Sequence, residues 1–332
     1  FFIIRKKIWI CFLSGLPFGR GKKSINMEVF TYETEAVDEG MRLDKYLADK
    51  MTGVTRSFLQ KLIKDGRVLT DGCSRKSNYK LKAAQKVEVS IPPVEDVEIL
   101  PENIPLDILY EDDDLLVINK PKNMVVHPSA GHFSGTLVNA VMYHCKDSLS
   151  GINGAIRPGI VHRIDKDTTG SLIVCKNDAS HLCIAEQIKA HSIQRIYRGI
   201  VAGNPKKSHG CIEGDIGRHP NDRKKMAVVT QNGKHAVTHY QALEQWKNAA
   251  YMEFRLETGR THQIRVHMAH IGYPLLGDTV YGSPKNPYHL TGQTLHAMTI
   301  GFLHPRTGEY LEISAPLPEY FEKLLYKFRS IS

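Results

Sequence analysis

Apolar and polar positions along the chain follow two regimes that change between residues 92 and 105. From residue 41, Leu43, Tyr46 and Leu47 keep helical spacing, and Phe58, Leu59, Leu62 and Ile63 do so in a second short segment. Gly53 and Thr55 punctuate between them. Thr55 or Ser57 fits as the N-cap of the second helix, and Gly66 ends it. RVLTDG then reads as a short strand entering a D-G turn, and KVEVSIP as a closing strand. Next comes PPVEDVEILPENIPLD, where prolines at 92, 93, 101 and 105 fix φ and remove donors, so 92–105 reads as an extended linker.

Beyond the linker, short β-branched or aromatic runs dominate: DLLVINKP, GSLIVCKN, QRIYRGIVAG, HAVTHYQALEQW and YMEFRLETG. Helical segments are expected at 181–190, 261–271 and 319–328. Ile264, Met268 and Ile271 form one stripe, and Phe321, Leu324, Leu325 and Phe328 another. Strands outnumber helices without a strict βαβ rhythm. The fold class is therefore α+β, a small N-terminal αα-hairpin module followed by a domain at 106–326 on a largely antiparallel mixed sheet.

Composition locates the charge. The whole chain of 332 residues has a formal charge of +9. Residues 41–90 hold twelve Lys/Arg against five Asp/Glu, most of the excess, and the rest is near balance. A small basic module on a near-neutral body suits a polyanionic partner such as nucleic acid, with Arg56, Lys61 and Lys64 available on the second helix. The alternative is a solvated surface face, which the localisation of the charge disfavours. The six cysteines form no C-x-x-C pair and read as reduced cytosolic thiols, placing the chain in the cytoplasm. Residues 1–26 combine two basic clusters with a short apolar run. They read as a non-native or disordered upstream extension, with Met27 as the start and a degraded signal peptide as the alternative. No other apolar run approaches transmembrane length, so no membrane is expected.

The stretch HRIDKDTTG, residues 162–170, sets Asp165 between Arg163 and Lys166, just before a buried strand. Neighbouring cations keep a carboxylate ionised, and such a group is a nucleophile, a metal ligand or half of an ion pair. In LETGRTHQIRVHMAHIG, Arg260 lies in a turn where it could meet phosphate. Arg265 lies within a helix beside apolar neighbours and needs a carboxylate partner, which Asp165 would supply. Tyr197, in a strand between charged residues, is either a core aromatic or a phenol that stacks on a base or moves a proton. Asp167 reads as a turn residue before Thr-Thr-Gly. His127 and His162 read as loop-structuring residues, though His162 also borders the acid and is kept as an RNA-contact candidate. His262, His267 and His270 lack H-E-x-x-H spacing, and no metal is expected. There is no G-x-G-x-x-G after a strand and no P-loop, so no nucleotide cofactor is expected either.

Residues 41–91 resemble the S4 RNA-binding module, on R-L-D-x-Y-L followed by S-x-x-L-Q-K-L-I-K-x-G-x-V. HRIDKDTTG resembles the H-R-L-D-x-x-T-S-G motif of the RluA-type pseudouridine synthases, RluD-like in carrying an S4 module. LLVINKPKNMVVHPSAG, IQRIYRGIVAG and TGRTHQIRVHMAHIGYPLLGDTVYG resemble three further motifs of that family, in order. Ile164, Thr169, Asn123 and Arg195 depart from the usual leucine, serine, glycine and lysine, and none removes a chemical group.

The resemblance implies an isomerase that converts uridine to pseudouridine without metal or organic cofactor. It places the catalytic aspartate on Asp165, the base-displacing arginine on Arg163, the uracil-packing tyrosine on Tyr197 and the arginine paired with the acid on Arg265. The base leaves its sugar, turns and rejoins through carbon 5, and reaching it in folded RNA requires flipping it out. The expected partner is structured RNA, large-subunit (23S) ribosomal RNA first, bound by a monomer. The alternatives are a synthase acting on tRNA and a non-catalytic RNA- or ribosome-binding factor.

Overall fold

The computed structural model describes residues 28–51, 54–92, 99–128, 133–146, 148–152, 157–222, 225–285 and 287–331. The reading of residues 1–26, and of the linker at 93–98, lies outside them. Contacts divide the chain into two compact units, one ending at Asp96 and one starting at Val97.

In the first unit, α1 (Leu43–Lys50) and α2 (Arg56–Lys64) pack on a four-stranded sheet. Thr55 caps α2 by accepting the Phe58 N–H, as its position before the apolar run implies. The helical stripes meet face to face: Leu43, Tyr46 and Leu47 share one core with Leu59, Leu62 and Ile63. That core continues onto Val68 of β2 (Val68–Thr70) and onto Val87 and Val89 of β4 (Lys86–Ile91). Asp71 and Gly72 both adopt positive φ in the D-G turn that leads to β3 (Cys73–Ser74). One strand escaped the sequence reading: β1 (Glu28–Glu33) pairs antiparallel with β4. It is an edge strand with nearly every residue exposed, so it carries no alternation to detect.

The second unit is a ten-stranded sheet. Its strands are β5 (Ile108–Glu111), β6 (Leu115–Lys120), β7 (Thr169–Cys175), β8 (Gln194–Ala202), β9 (His209–Arg218), β10 (Met226–Val228), β11 (Lys234–Trp246), β12 (Ala249–Leu256), β13 (Leu295–Leu303) and β14 (Tyr310–Ser314). They lie in the order β10-β9-β11-β12-β8-β13-β7-β6-β5, with β14 added to β13. Among the described residues every pairing is antiparallel except β13 with β7. All five runs expected as strands are strands, and the mixed, largely antiparallel α+β architecture is the observed one.

Helices cover both faces. On one, α3 (Leu137–Cys145) packs on β6 and β7, and α5 (Gln263–His270) places Ile264 and Met268 against Val201, Met252 and Phe254. On the other lie α4 (Asp178–Lys189) and α6 (Glu319–Ile331). The α6 stripe Phe321, Leu324, Leu325 and Phe328 meets Ile200, Trp246 and Tyr251, with Trp246 stacked on Phe328 at 4.8 Å. Burial on both faces is why β7 reads as a continuous apolar run. The helices expected at 181–190, 261–271 and 319–328 run 178–189, 263–270 and 319–331, shifts typical of frayed ends. α3 went unread because it is apolar nearly all round. Its sequence signal is a capping box, in which Thr136 and Asn139 cap each other's backbone N–H.

The parallel β7–β13 contact begins where HRIDKDTTG ends. Gly170 has φ +107, and a Cβ there would lie 2.2 Å from the Ala297 carbonyl oxygen. Only glycine lets the two backbones approach this closely, and that approach anchors the loop carrying Asp165.

Candidate active site

The loop before β7 is pinned from beneath. Ile164 is buried in the core beside Ile160, Leu172 and Ala297. Lys120, fully buried at the end of β6, donates to the carbonyls of Pro121, Met124 and Lys166 at 2.7, 2.9 and 3.0 Å. The last of these fixes the peptide next to Asp165. Burial pushes the Lys120 ammonium down to about 7, against the pull of Asp167 and Asp165. The Thr168 N–H closes a turn on the Asp165 carbonyl, and Thr169 Oγ1 meets His296 Nδ1 at 2.8 Å. With Ile164 facing inward, Asp165 is left partly exposed, at 19%.

The partner of Asp165 comes from 100 residues away. Arg265 Nη1 donates to Asp165 Oδ2 at 2.9 Å. The rest of the Arg265 fork is held by a second carboxylate: Nε and Nη2 donate to the two oxygens of Asp278 at 2.7 and 3.0 Å. Asp278 is fully buried and also accepts the N–H groups of Val280 and Tyr281. Burial alone would raise its pKa, but the Arg265 guanidinium and these two N–H groups hold the carboxyl below the usual range. Burial would likewise lower Arg265, and its two carboxylates more than offset that.

The ring of Tyr281 lies 5.1 Å from the same guanidinium. The Met226 N–H donates to its phenol oxygen at 2.9 Å, and the same oxygen lies 2.8 Å from His262 Nδ1. His262 Nε2 then stands 3.8 Å from Asp165 Oδ1. The cations that adjoin Asp165 in sequence are not its partners. Arg163 turns to His127, at 3.3 Å, and no ion pair joins Lys166 to Asp165 among the described residues.

Asp165 opens into a cavity of about 480 Å³, walled by the loop, β8, the β12–α5 turn and α5. Six expected site residues line it: Asp165, Tyr197, Arg265, Arg163, Arg260 and His162. Tyr197 lies between the two cores on the α3/α5 face. Burial, reinforced by the Asp165 charge and opposed by Arg195, pushes its phenol up to about 12. Arg260 is braced across the turn by the His235 carbonyl. His162 is wall rather than free donor: its Nε2 accepts the Ile173 N–H at 3.0 Å, and burial pushes it down to about 3.

Arg56, Lys61 and Lys64 belong to α2 of the first unit. Lys61 and Lys64 are exposed. Arg56, half-exposed, is ion-paired at 2.9 Å to buried Asp44, which also accepts from Arg42 and Gln60. That network explains the R-L-D of the first helix and gives Arg56 a structural duty that the sequence did not suggest. Asp278, Tyr281 and Lys120 were also missed, although all three stand inside quoted stretches. An acid thirteen residues after Arg265 was the available signal. His267 is buried against Thr238 and lowered to about 4 by burial, a core histidine. Among the described residues one acid–histidine group is compact enough to hold a metal: Asp112, Asp114 and His304. Its atoms are already engaged, by Tyr110, Asn177, Arg306 and one another.

Comparison with known proteins identifies this arrangement. The family model described as RNA pseudouridylate synthase matches residues 114–270, and the S4 domain model matches residues 41–87. The uncharacterized RNA pseudouridine synthase YlyB of Bacillus subtilis (strain 168) is 50% identical over 288 residues, covering 87% of this chain and 94% of its own length. The chain belongs to the RNA pseudouridylate synthase family. A ribosomal large subunit pseudouridine synthase D from Zymomonas mobilis is 46% identical over 303 residues, covering 88% of this chain and 95% of that protein. The solved structure of human RNA pseudouridylate synthase domain containing 1 shares the fold, with TM-score 0.54 at 23% identity over 71% of this chain and 96% of that one. This pseudouridine synthase is therefore an isomerase with an RNA substrate and an S4 RNA-binding domain. Among its described residues, no helix is long and apolar enough to cross a membrane.

Proposed function

We propose that this synthase isomerises specific uridines of large-subunit ribosomal RNA, with Asp165 as the group that attacks the target nucleotide. The observation that carries the reading is the Asp165–Arg265 contact of 2.9 Å at the wall of a cavity lined by Tyr197. The ribosomal target rests on relatives such as the Zymomonas protein.

In this reading Arg265, oriented by Asp278, holds one oxygen of Asp165 and leaves the other toward the cavity. Arg163 and Arg260 meet the displaced strand, and residues 41–91 hold RNA phosphate and shape at a distance. The Asp165 carboxylate bonds to the sugar carbon as the bond to N1 breaks, the base turns, and carbon 5 displaces the carboxylate as the new bond forms. Carbon 5 then loses its proton and N1 gains one, so the product is an isomer with no redox step. Tyr197 packs on the detached base. Its phenol, held near 12, stays neutral in the resting enzyme.

The test is pseudouridine mapping on total RNA from cells lacking the gene, complemented with wild type or Asp165→Asn. Specific large-subunit sites should vanish, return with wild type and stay absent with the variant. Changes confined to tRNA would move the target, and no change at any site would favour a binding factor without turnover.

A further inference from the structure

Among the described residues, Arg195 is one of the cations of the cavity wall that have no carboxylate partner. Arg195 stands two residues before Tyr197 on β8, so both side chains leave the same face of the strand and line the cavity. Its Nη2 donates to the Glu257 carbonyl at 2.9 Å. Its Nε is buried and has no hydrogen-bond partner, and no carboxylate lies within ion-pair distance of it among the described residues. Arg265 differs in kind, since two carboxylates answer its charge. Burial pushes the Arg195 pKa down, and the like-charged Arg260 adds to it.

The turn opposite is shaped for this side chain. A Cβ on Gly259 would lie 2.7 Å from Arg195 Nη1, so the absent side chain makes room for the guanidinium. A desolvated guanidinium with a free donor and no acid is costly in the empty protein. An acceptor oxygen that enters the cavity Arg195 lines offsets part of the cost of its unanswered charge.

We propose that Arg195 binds the target nucleotide directly, donating to one of its acceptor oxygens, either a uracil carbonyl or the nucleotide's phosphate. The inference rests on the reading of this cavity as the uridine site. In it, Arg195 reaches the nucleotide beside the ring of Tyr197, whereas Arg163 and Arg260 meet the strand. Lysine, the usual residue of the family motif, would supply the charge without the fixed fork.

The experiment compares wild type with Arg195→Met, Arg195→Lys and Gly259→Ala, measuring RNA dissociation constants and single-turnover rates at saturating RNA. Arg195→Met should lose roughly ten- to a hundredfold in one of the two, the range for a hydrogen bond from a charged group. Loss of affinity with a shallower salt dependence and an unchanged rate assigns the phosphate. Loss of rate with unchanged affinity assigns the uracil carbonyl. Gly259→Ala, which displaces the guanidinium while leaving the charge, should follow Arg195→Met in direction and keeps the test readable if Arg195→Met fails to fold. Arg195→Lys should fall between.

Affinity and rate within about twofold of wild type in Arg195→Met and Gly259→Ala would overturn the proposal, whatever the melting temperature does. Wild-type protein that forms no pseudouridine would strike the proposed function instead. The affinity of Arg195→Met against wild type then decides Arg195 alone.

Discussion

At the residue scale, the site depends on one guanidinium shared by two carboxylates of different duty. Asp278 is buried and holds the fork of Arg265, while Asp165 takes the remaining N–H at the cavity wall. Removing Asp278 leaves a buried cation half-paired, so Asp278→Ala should destabilise the protein by about 3–5 kcal/mol, read as a fall in urea midpoint. Asp278→Asn should keep more stability and still lower the rate, because Arg265 loses its orientation. The depressed pKa of Asp278 sets a sign. Its contribution is complete above the unfolded carboxylate value of about 3.9 and is lost as pH falls through the lower folded value. Stability measured from pH 5 down to pH 2 should therefore fall less steeply in Asp278→Asn than in wild type. Tyr197 gives a second pH expectation. A phenol held near 12 contributes no titration to the rate between pH 7 and pH 10, so Tyr197→Phe should lower the profile without changing its shape there.

At the scale of elements, the β7–β13 contact sets the position of the Asp165 loop. Gly170→Ala would drive a Cβ into the Ala297 carbonyl at a positive φ, with no flexible side chain to move aside. It should cost more than about 2 kcal/mol and lower turnover in the folded fraction, measured by thermal melting alongside single-turnover rate. Elements were legible where periodicity was clean. The α6 stripe appears in the sequence at its observed spacing, and the capped α2 begins at the residue after Thr55. They were illegible where the pattern was diluted. HGCIEGDIGR became the ten-residue strand β9, yet its three glycines interrupt the alternation. β10 has three residues, too few to carry a period.

At the scale of the whole molecule, basic charge is concentrated in the S4 domain and the candidate site lies in the second unit. Lys61 and Lys64 are exposed on α2. Replacing both with Gln should weaken RNA binding and reduce the salt slope by roughly one to two units, without changing the rate at saturating RNA. A matching loss of rate would place these lysines in the chemistry.

The sequence by itself determined the two-part organisation, the basic first module, five strands of the second sheet and six of the residues that line the cavity. These follow from local composition, from periodicity and from motifs, each of which is written within a few neighbouring residues. Only the tertiary structure decided which charges pair. Asp165 stands next to Arg163 and Lys166 in sequence, yet its partner is Arg265, and Arg265 is in turn held by Asp278. Among the described residues no acid lies within ion-pair distance of Arg195. A guanidinium and a carboxylate pair through space at hydrogen-bond distance, and the sheet that brings residues 165, 195, 265 and 278 together is assembled from strands far apart in the chain. Local spacing carries no record of that geometry, so the pairing becomes visible only once the chain has folded.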